Sequence, residues 1–282
     1  MATKTNFQKV QEFNRAFDMV SKEPKNYTDD DTNAFRHIRP SLFTDAPKTI
    51  KLRLDLIDEE IKELNNAVNT NDFVETRDAL ADILYVVYGM ADVLGINIDC
   101  YFANHINIYC KNEYNITDKL TNFDYIKLHI DGNQNSFIPI IPSLDKLKTI
   151  QLAINISYKE LEMYCNYIKS NGEVQVINNF ENIANHINNI LKWVYSYAYL
   201  SGIDADADFA IVHDSNMSKL CDTEDDAKIT VADYIEKYVA GTSPYDSPYY
   251  YELPELGKWI VKNKSSGKAL KNIKYRKVNF TK

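Results

Sequence analysis

The chain has 282 residues, of which 45 % are hydrophobic and 26 % charged, and its net charge is −8. That length supports a real core and two modest domains, while the acidic balance excludes bulk electrostatic binding to DNA, RNA or an anionic membrane. With 8 Gly and 8 Pro, helices are favoured over a turn-rich β fold. No apolar run approaches the roughly 20 residues of a membrane span, and Met1-Ala2-Thr3-Lys4-Thr5-Asn6 contains no apolar signal core. Cys100, Cys110, Cys165 and Cys221 show no CxxC spacing and read as reduced thiols. The expectation is a cytoplasmic protein with no nucleic-acid or membrane partner.

Taken in chain order, Phe7, Val10, Phe13, Phe17 and Val20 share one helical face. Phe13 and Phe17 read as core residues. Ser21 to Pro40 reads as loop. A second helix is predicted from Asp45-Ala46-Pro47, with Asp as cap and Pro in the first turn, to Val68. After a turn at Asn69 to Asp72, a third covers Phe73 to Leu94 and stops at Gly95. A fourth runs from Asp99 to Asn112. Gly132, Pro139 and Pro142 mark 131–142 as a linker. Helical patterns return over 143–170, 176–201, 206–220 and 231–239. In the tail, Trp259, Val261, Ile273, Tyr275 and Val278 flank Ser265-Ser266-Gly267, which predicts a β-hairpin.

The chain repeats itself. Asp82 to Ile96 aligns with Asn189 to Ile203, Lys62-Glu63-Leu64 with Lys159-Glu160-Leu161, and Phe102-Ala103 with Phe209-Ala210. His105 and Lys111 meet His213 and Lys219 once one residue is inserted. The copies differ where chemistry would sit. Asp78 and Asp82 become Asn185 and Asn189, and Glu59 and Glu60 become Ile156 and Ser157. Asn keeps the shape of Asp without its charge, so the second copy is expected to have lost a metal site. It carries instead His213-Asp214-Ser215-Asn216-Met217-Ser218-Lys219. The domains expected are 1–130, catalytic; 131–222, degenerate; and 223–282, a C-terminal extension with the hairpin.

The strongest chemical signal is Asp58-Glu59-Glu60-Ile61-Lys62-Glu63, followed by Glu75, Asp78 and Asp82. Spacings of three and four put these acids on shared helix faces. Asp82 lies within Leu80-Ala81-Asp82-Ile83-Leu84 and so points inward. Converging buried carboxylates repel one another and lose solvation. A hard divalent cation resolves that conflict, and Mg²⁺ prefers such oxygen ligands and phosphate oxygens. The bland reading is a solvated acidic face, with Arg77 or Lys62 as a structural partner for Asp82.

Through these residues the chain resembles the all-α NTP pyrophosphohydrolase superfamily, which includes MazG-like proteins and phosphoribosyl-ATP pyrophosphohydrolases. Its EExxE motif is matched by Glu59-Glu60-Ile61-Lys62-Glu63. The following ExxD is altered: Asp82 fits its Asp, but Ala79 stands three before it. Either Asp78 substitutes from one turn away, or Glu75 and Asp78 form the pair and Asp82 is extra. His213 to Lys219 and the tail from Gly257 to Phe280 look like viral-type members, so host cytoplasm or virion is the implied location. The resemblance implies an all-α fold in which two tandem MazG-like units form a pseudo-dimer, with a small C-terminal β-hairpin extension.

The resemblance also implies water attack at the α-phosphorus of a nucleoside triphosphate, giving the monophosphate and pyrophosphate, in a nucleotide-clearing role. Glu60, Glu63, Asp78 and Asp82 would hold Mg²⁺, with Mn²⁺ as the alternative ion. Glu59 would orient or deprotonate water. Lys219 would offset phosphate charge, Asn216 would bond phosphate, sugar or base, and His213 would orient that segment. Arg53, seven residues before Glu60, shares its helix face and would reach phosphate. Partners are the substrate and, as a further option, a second copy in a homodimer. Competing readings are phosphoribosyl-ATP pyrophosphohydrolase, a non-catalytic nucleotide-binding scaffold, and a purely structural bundle.

Overall fold

The computed structural model describes residues 4–17, 33–109, 120–132, 143–171 and 173–280. Among them lie α1 (Asn6–Ala16), α2 (Leu42–Asp45), α3 (Pro47–Thr70), α4 (Phe73–Leu94), α5 (Ile98–Tyr109), α6 (Asn122–Gly132), α7 (Ser143–Asn171), α8 (Glu173–Leu200), α9 (Ala205–Met217) and α10 (Glu224–Val239). Two strands follow, β1 (Pro248–Leu253) and β2 (Lys258–Asn263). Contacts group residues 1–11 and 23–209 into one compact unit, and residues 12–22 and 210–282 into another. No helix among the described residues is long and apolar enough to cross a membrane.

In the first unit, α3 buries Ile50, Leu54, Ile57, Ile61, Leu64 and Ala67, an apolar stripe of helical period. Helix α4 is buried nearly all round from Ala79 to Leu94. The two pack as a helical hairpin, α7 and α8 make a second, and α3 lies on α7 and α4 on α8. Helices α3 and α4 of the first repeat thus meet their own counterparts in the second, as in a two-fold dimer. Asp72 caps α4 by accepting from Glu75 N at 3.0 Å. Gly95 ends α4 at φ 75°, where an added Cβ would stand 1.9 Å from the His37 carbonyl oxygen. Only glycine satisfies both demands, and Arg39 N and Asn97 N bond across this junction to Leu94 O and Ala34 O.

A buried polar seam joins the two repeats. Tyr88 and Tyr195, aligned positions, share a hydroxyl–hydroxyl bond of 2.8 Å. Asp99 accepts from Thr5 Oγ1 at 2.6 Å and Asn122 Nδ2 at 2.9 Å. Asp206, its counterpart, accepts from Thr121 Oγ1 and Asn6 Nδ2, each at 2.7 Å. Each aspartate therefore takes a hydroxyl from its own repeat and an amide from the other. The Thr5-Asn6-Phe7 triplet that opens α1 recurs as Thr121-Asn122-Phe123 opening α6. Burial pushes the Asp99 carboxyl up to about 6 against the bonds from Thr5 and Asn122. The seam is costly to leave half-satisfied, which fixes the pairing of the halves.

In the second unit, Cys221, Ala227, Val261 and Leu270 form a core against which Val231, Tyr234, Tyr245, Tyr250 and Trp259 pack. The hairpin pairs antiparallel from Pro248↔Asn263 to Leu253↔Lys258. Ser215 Oγ donates to Arg276 O at 2.8 Å, and Arg276 N donates to Ser218 Oγ at 3.0 Å. Two polar residues of the His213–Lys219 segment thus anchor the chain's tail.

Several sequence expectations are corrected. Asp45 does not cap α3: it closes the short α2, and Ala46 precedes Pro47 without a side-chain cap. Helix α6 falls where no helix was predicted, and its last residues overlap the expected linker; 133–142 lie outside the described residues, as do Val20 and Asn112. Helix α10 begins at Glu224, not at 231, because its first turn is acidic rather than apolar; Thr223 caps it by accepting from Asp226 N at 3.1 Å. The hairpin lies earlier than predicted. Its turn is at Pro254 to Gly257, while residues 273–278 form no strand. The consecutive Tyr249, Tyr250 and Tyr251 supply the first strand of the hairpin.

Candidate active site

The acids of α3 and α4 face one another across the first helical hairpin. Glu60 and Asp82 are half-buried, as is Asp78, whereas Glu59, Glu63 and Glu75 are exposed. Burial pushes the Glu60 carboxyl up to about 8, reinforced by the charges of Asp82, Glu63, Glu59 and Asp78. Burial likewise raises Asp78 to about 6, with Glu75, Glu63 and Asp208 adding to it. Glu63 is raised by burial, Glu75 and Glu59, against a hydrogen bond from Glu60. Glu59, Glu60, Glu63, Asp78 and Asp82 are thus linked in one electrostatic cluster, together with Glu75. Asp78 Oδ1 is buried and has no hydrogen-bond partner among the described residues, an orphaned acceptor of the kind a cation satisfies.

No three of these side chains, among the described residues, stand close enough to form a ready ligand set. The residues fit a divalent cation by donor type and shared field. The two cations weighed as structural partners for Asp82 are engaged with other acids. Lys62 pairs with Asp58 at 2.5 Å. Arg77 grips Asp208 with both prongs, Nε to Oδ2 at 2.9 Å and Nη2 to Oδ1 at 2.6 Å.

Asp208 was not singled out from sequence. It is 2 % exposed, stands on α9, and acts on Asp78 through its charge. The available signal was its place beside the repeat's aligned Phe209, where the first copy has Tyr101. Glu75, weighed only as an alternative ligand, also belongs to the cluster.

Arg53 is buried, and burial lowers its pKa against the opposing charge of Asp92. Gly89 makes room for it, since a Cβ there would stand 2.7 Å from Arg53 Nη1. His213, Asn216 and Lys219 fall in the second compact unit. His213 is buried, and Lys219 Nζ donates to Asn216 Oδ1 at 2.6 Å and lies 5.7 Å from the Phe13 ring centroid. Phe13 and Phe17 stack on each other at 4.2 Å, both buried, which favours their reading as core.

The second repeat shows the consequence of its substitutions. Asn182, Asn185 and Asn189 of α8 occupy the places of Glu75, Asp78 and Asp82. Lys192, at the place of Tyr85, donates to Asn189 Oδ1 at 3.2 Å, and burial lowers its amine to about 8. An ammonium thus stands beside these amides where the first repeat gathers carboxylates.

The acid cluster predicts a pH signature. Glu60 and Asp78 hold their protons more tightly in the folded chain than at their ordinary 4.5 and 3.8. Their stabilising contribution is full below those values and is lost as pH rises through about 6 and about 8. Metal-free protein is expected to melt several degrees lower near pH 8.5 than near pH 5.5, with Mg²⁺ recovering most of the loss at the higher pH. Differential scanning calorimetry with EDTA or Mg²⁺ checks this, and a flat difference between wild type and Glu60→Gln across that range would contradict it.

Comparison with known proteins agrees with the geometry. The family model described as phosphoribosyl-ATP pyrophosphohydrolase matches residues 10–106, which span the whole acid cluster. A protein of Acanthamoeba polyphaga mimivirus, described as uncharacterized, is 35 % identical over 277 residues, covering 98 % of this chain and 94 % of its own. No solved structure matches the chain. The acid-bearing helical hairpin and the family match over residues 10–106 place the chain in the MazG-like, all-α NTP pyrophosphohydrolase superfamily, a family that implies a pyrophosphohydrolase activity.

Proposed function

We propose that the protein is a magnesium-dependent nucleoside triphosphate pyrophosphohydrolase with one catalytic cluster per chain. The observation that carries this reading is the raised Glu60, held at about 8 by burial and four neighbouring acids on two helices. Such stored repulsion has a use when a cation and a polyphosphate arrive together. Glu60, Glu63, Asp78 and Asp82 would hold Mg²⁺, or Mn²⁺ in its place. The bound ion would neutralise phosphate charge and make water a better nucleophile.

The side chains divide the remaining work. Glu59, exposed at the cluster's edge, takes the proton of the attacking water. Water oxygen bonds to the α-phosphorus, and the bond from that phosphorus to the bridging oxygen breaks, releasing monophosphate and pyrophosphate. Arg77, fixed by Asp208, holds its stretch of α4 in register beside Asp78. On chemistry alone, Arg53 is assigned to substrate recognition; His213, Asn216 and Lys219, in the second compact unit, offer donors and acceptors of the kind that bind a nucleotide's polar groups. The second repeat lacks the acids and is assigned a supporting role.

The test is pyrophosphate release from each ribo- and deoxynucleoside triphosphate, with Mg²⁺, Mn²⁺ or EDTA. Phosphoribosyl-ATP belongs in the panel because the matching family model bears that name. Metal-dependent release from one or more triphosphates is expected. Release from phosphoribosyl-ATP alone would favour the second reading, and binding without release would favour a scaffold. Asn189→Ala is expected to leave turnover within about twofold; loss of turnover in a folded variant would place chemistry in the second repeat.

A further inference from the structure

The exposed face of α7 is apolar where its counterpart on α3 is polar. Leu152, Ile156, Met163 and Tyr167 are 59 %, 49 %, 56 % and 47 % exposed. At about 100° per residue they fall within about 60° of one another, in a stripe about 22 Å long. The aligned residues of α3 are Asp55, Glu59, Asn66 and Thr70, all exposed. The two repeats share a fold, and the apolar stripe is peculiar to the second. Several large apolar side chains exposed on one helix face mark an interaction site.

The spacing of the stripe, not its residue order, is the same read from either end. Leu152 and Tyr167 are equidistant from a midpoint between Lys159 and Glu160, and so are Ile156 and Met163. Two copies of α7 laid antiparallel about a two-fold axis at that midpoint bring Leu152 opposite the other Tyr167 and Ile156 opposite the other Met163. Lys159 then faces the other Glu160, and the reverse, so the only charges at the centre are complementary. Both lie at the surface and would exchange surface pairs for the new ones: Lys159 pairs with Glu162 at 3.0 Å, and Glu160 stands 3.2 Å from His186. A self-complementary patch is what an isologous contact requires.

We propose that this face of α7 docks on the same face of a second copy, giving a reversible homodimer of the pseudo-dimeric chain. A contact of one helix pair buries less than about 1,200 Å² in total, the size of a reversible association. The proposal is independent of the assigned catalysis, since α7 carries none of the proposed metal ligands.

Sedimentation velocity of the full chain from about 5 to 100 µM tests it. Wild type is expected to shift from the 32.6 kDa monomer towards twice that mass. Ile156→Glu and Met163→Glu, both surface changes, are expected to stay monomeric over the range with unaltered helical circular dichroism and melting temperature. Lys159→Glu is expected to weaken the dimer by about tenfold at low salt, and Lys159→Glu with Glu160→Lys to restore it. A wild type that remains monomeric overturns the proposal, whether the stripe is covered by another part of this chain or by a different protein. A dimer that survives Ile156→Glu places the contact elsewhere, and failure of the double exchange to restore affinity excludes the antiparallel pairing.

Discussion

Glu60→Gln is expected to lower metal-dependent pyrophosphate release at least about a thousandfold, some 4 kcal/mol of transition-state stabilisation, while raising the melting temperature of the metal-free protein near pH 8. The two effects have one cause. Glu60 sits half-buried among Asp82, Glu63, Glu59 and Asp78, and its ionised form is opposed by all of them. The amide removes a charge that the fold tolerates poorly and removes with it a proposed ligand oxygen. A purely structural acidic face would give a different pair of results, namely a small change in stability and no change in chemistry. Pyrophosphate release and calorimetry on the same preparations separate these outcomes. Wild-type turnover in Glu60→Gln would end the metal assignment for this residue, and a lowered melting temperature would show that its carboxylate is satisfied by the fold. Asp82→Asn and Glu63→Gln are expected to follow the same pattern in turnover.

Asp208→Ala has the largest expected cost in stability. The carboxylate is 2 % exposed and receives two hydrogen bonds from Arg77, whose own side chain is 23 % exposed. Removing one partner of such a pair strands the other charge. Because Arg77 retains some contact with water, the loss is expected at about 2–4 kcal/mol rather than more. Arg77 precedes Asp78 directly, so the same change is expected to weaken metal affinity by loosening that turn of α4. Chemical denaturation and magnesium titration of Asp208→Ala and of the double variant Arg77→Met/Asp208→Leu check this. Recovery of most of the stability in the double variant, without recovery of metal affinity, is the expected pattern. An unchanged unfolding free energy in Asp208→Ala would refute the account.

Much of this was legible in the residues. The helical periods of α3, α4, α7 and α8, the stop at Gly95 and the duplication itself were plain, because each rests on local spacing or on direct comparison of two stretches. The acids were legible for the same reason: a motif of fixed spacing on two adjacent helices needs little tertiary knowledge. Asp208 was not, because its importance depends on Arg77, 131 residues away. Helix α6 is marked in the sequence only by Thr121-Asn122-Phe123 repeating Thr5-Asn6-Phe7, a triplet too short to announce a helix by itself. The hairpin was misplaced because Ser265-Ser266-Gly267 gives a strong turn signal, while the actual turn at Pro254 to Gly257 follows a strand of tyrosines that reads as loop composition. In the His213 to Lys219 segment, the sequence assigned recognition roles to His213, Asn216 and Lys219, while the intervening Ser215 and Ser218, to which it assigned nothing, hold the tail.

The seam of Thr5, Asn6, Thr121, Asn122, Asp99 and Asp206 bears on why this molecule is one polypeptide. A symmetric dimer encoded by a shorter gene could keep the same crossed bonds, but every substitution would then appear twice, at both sites. Trading Glu75, Asp78 and Asp82 for Asn182, Asn185 and Asn189 in such a dimer would abolish both acid clusters together. Covalent fusion makes the two halves separately mutable, and the seam keeps them paired while they diverge. One half is thereby released to acquire new surface, including the stripe on α7, with no effect on the residues its sibling needs.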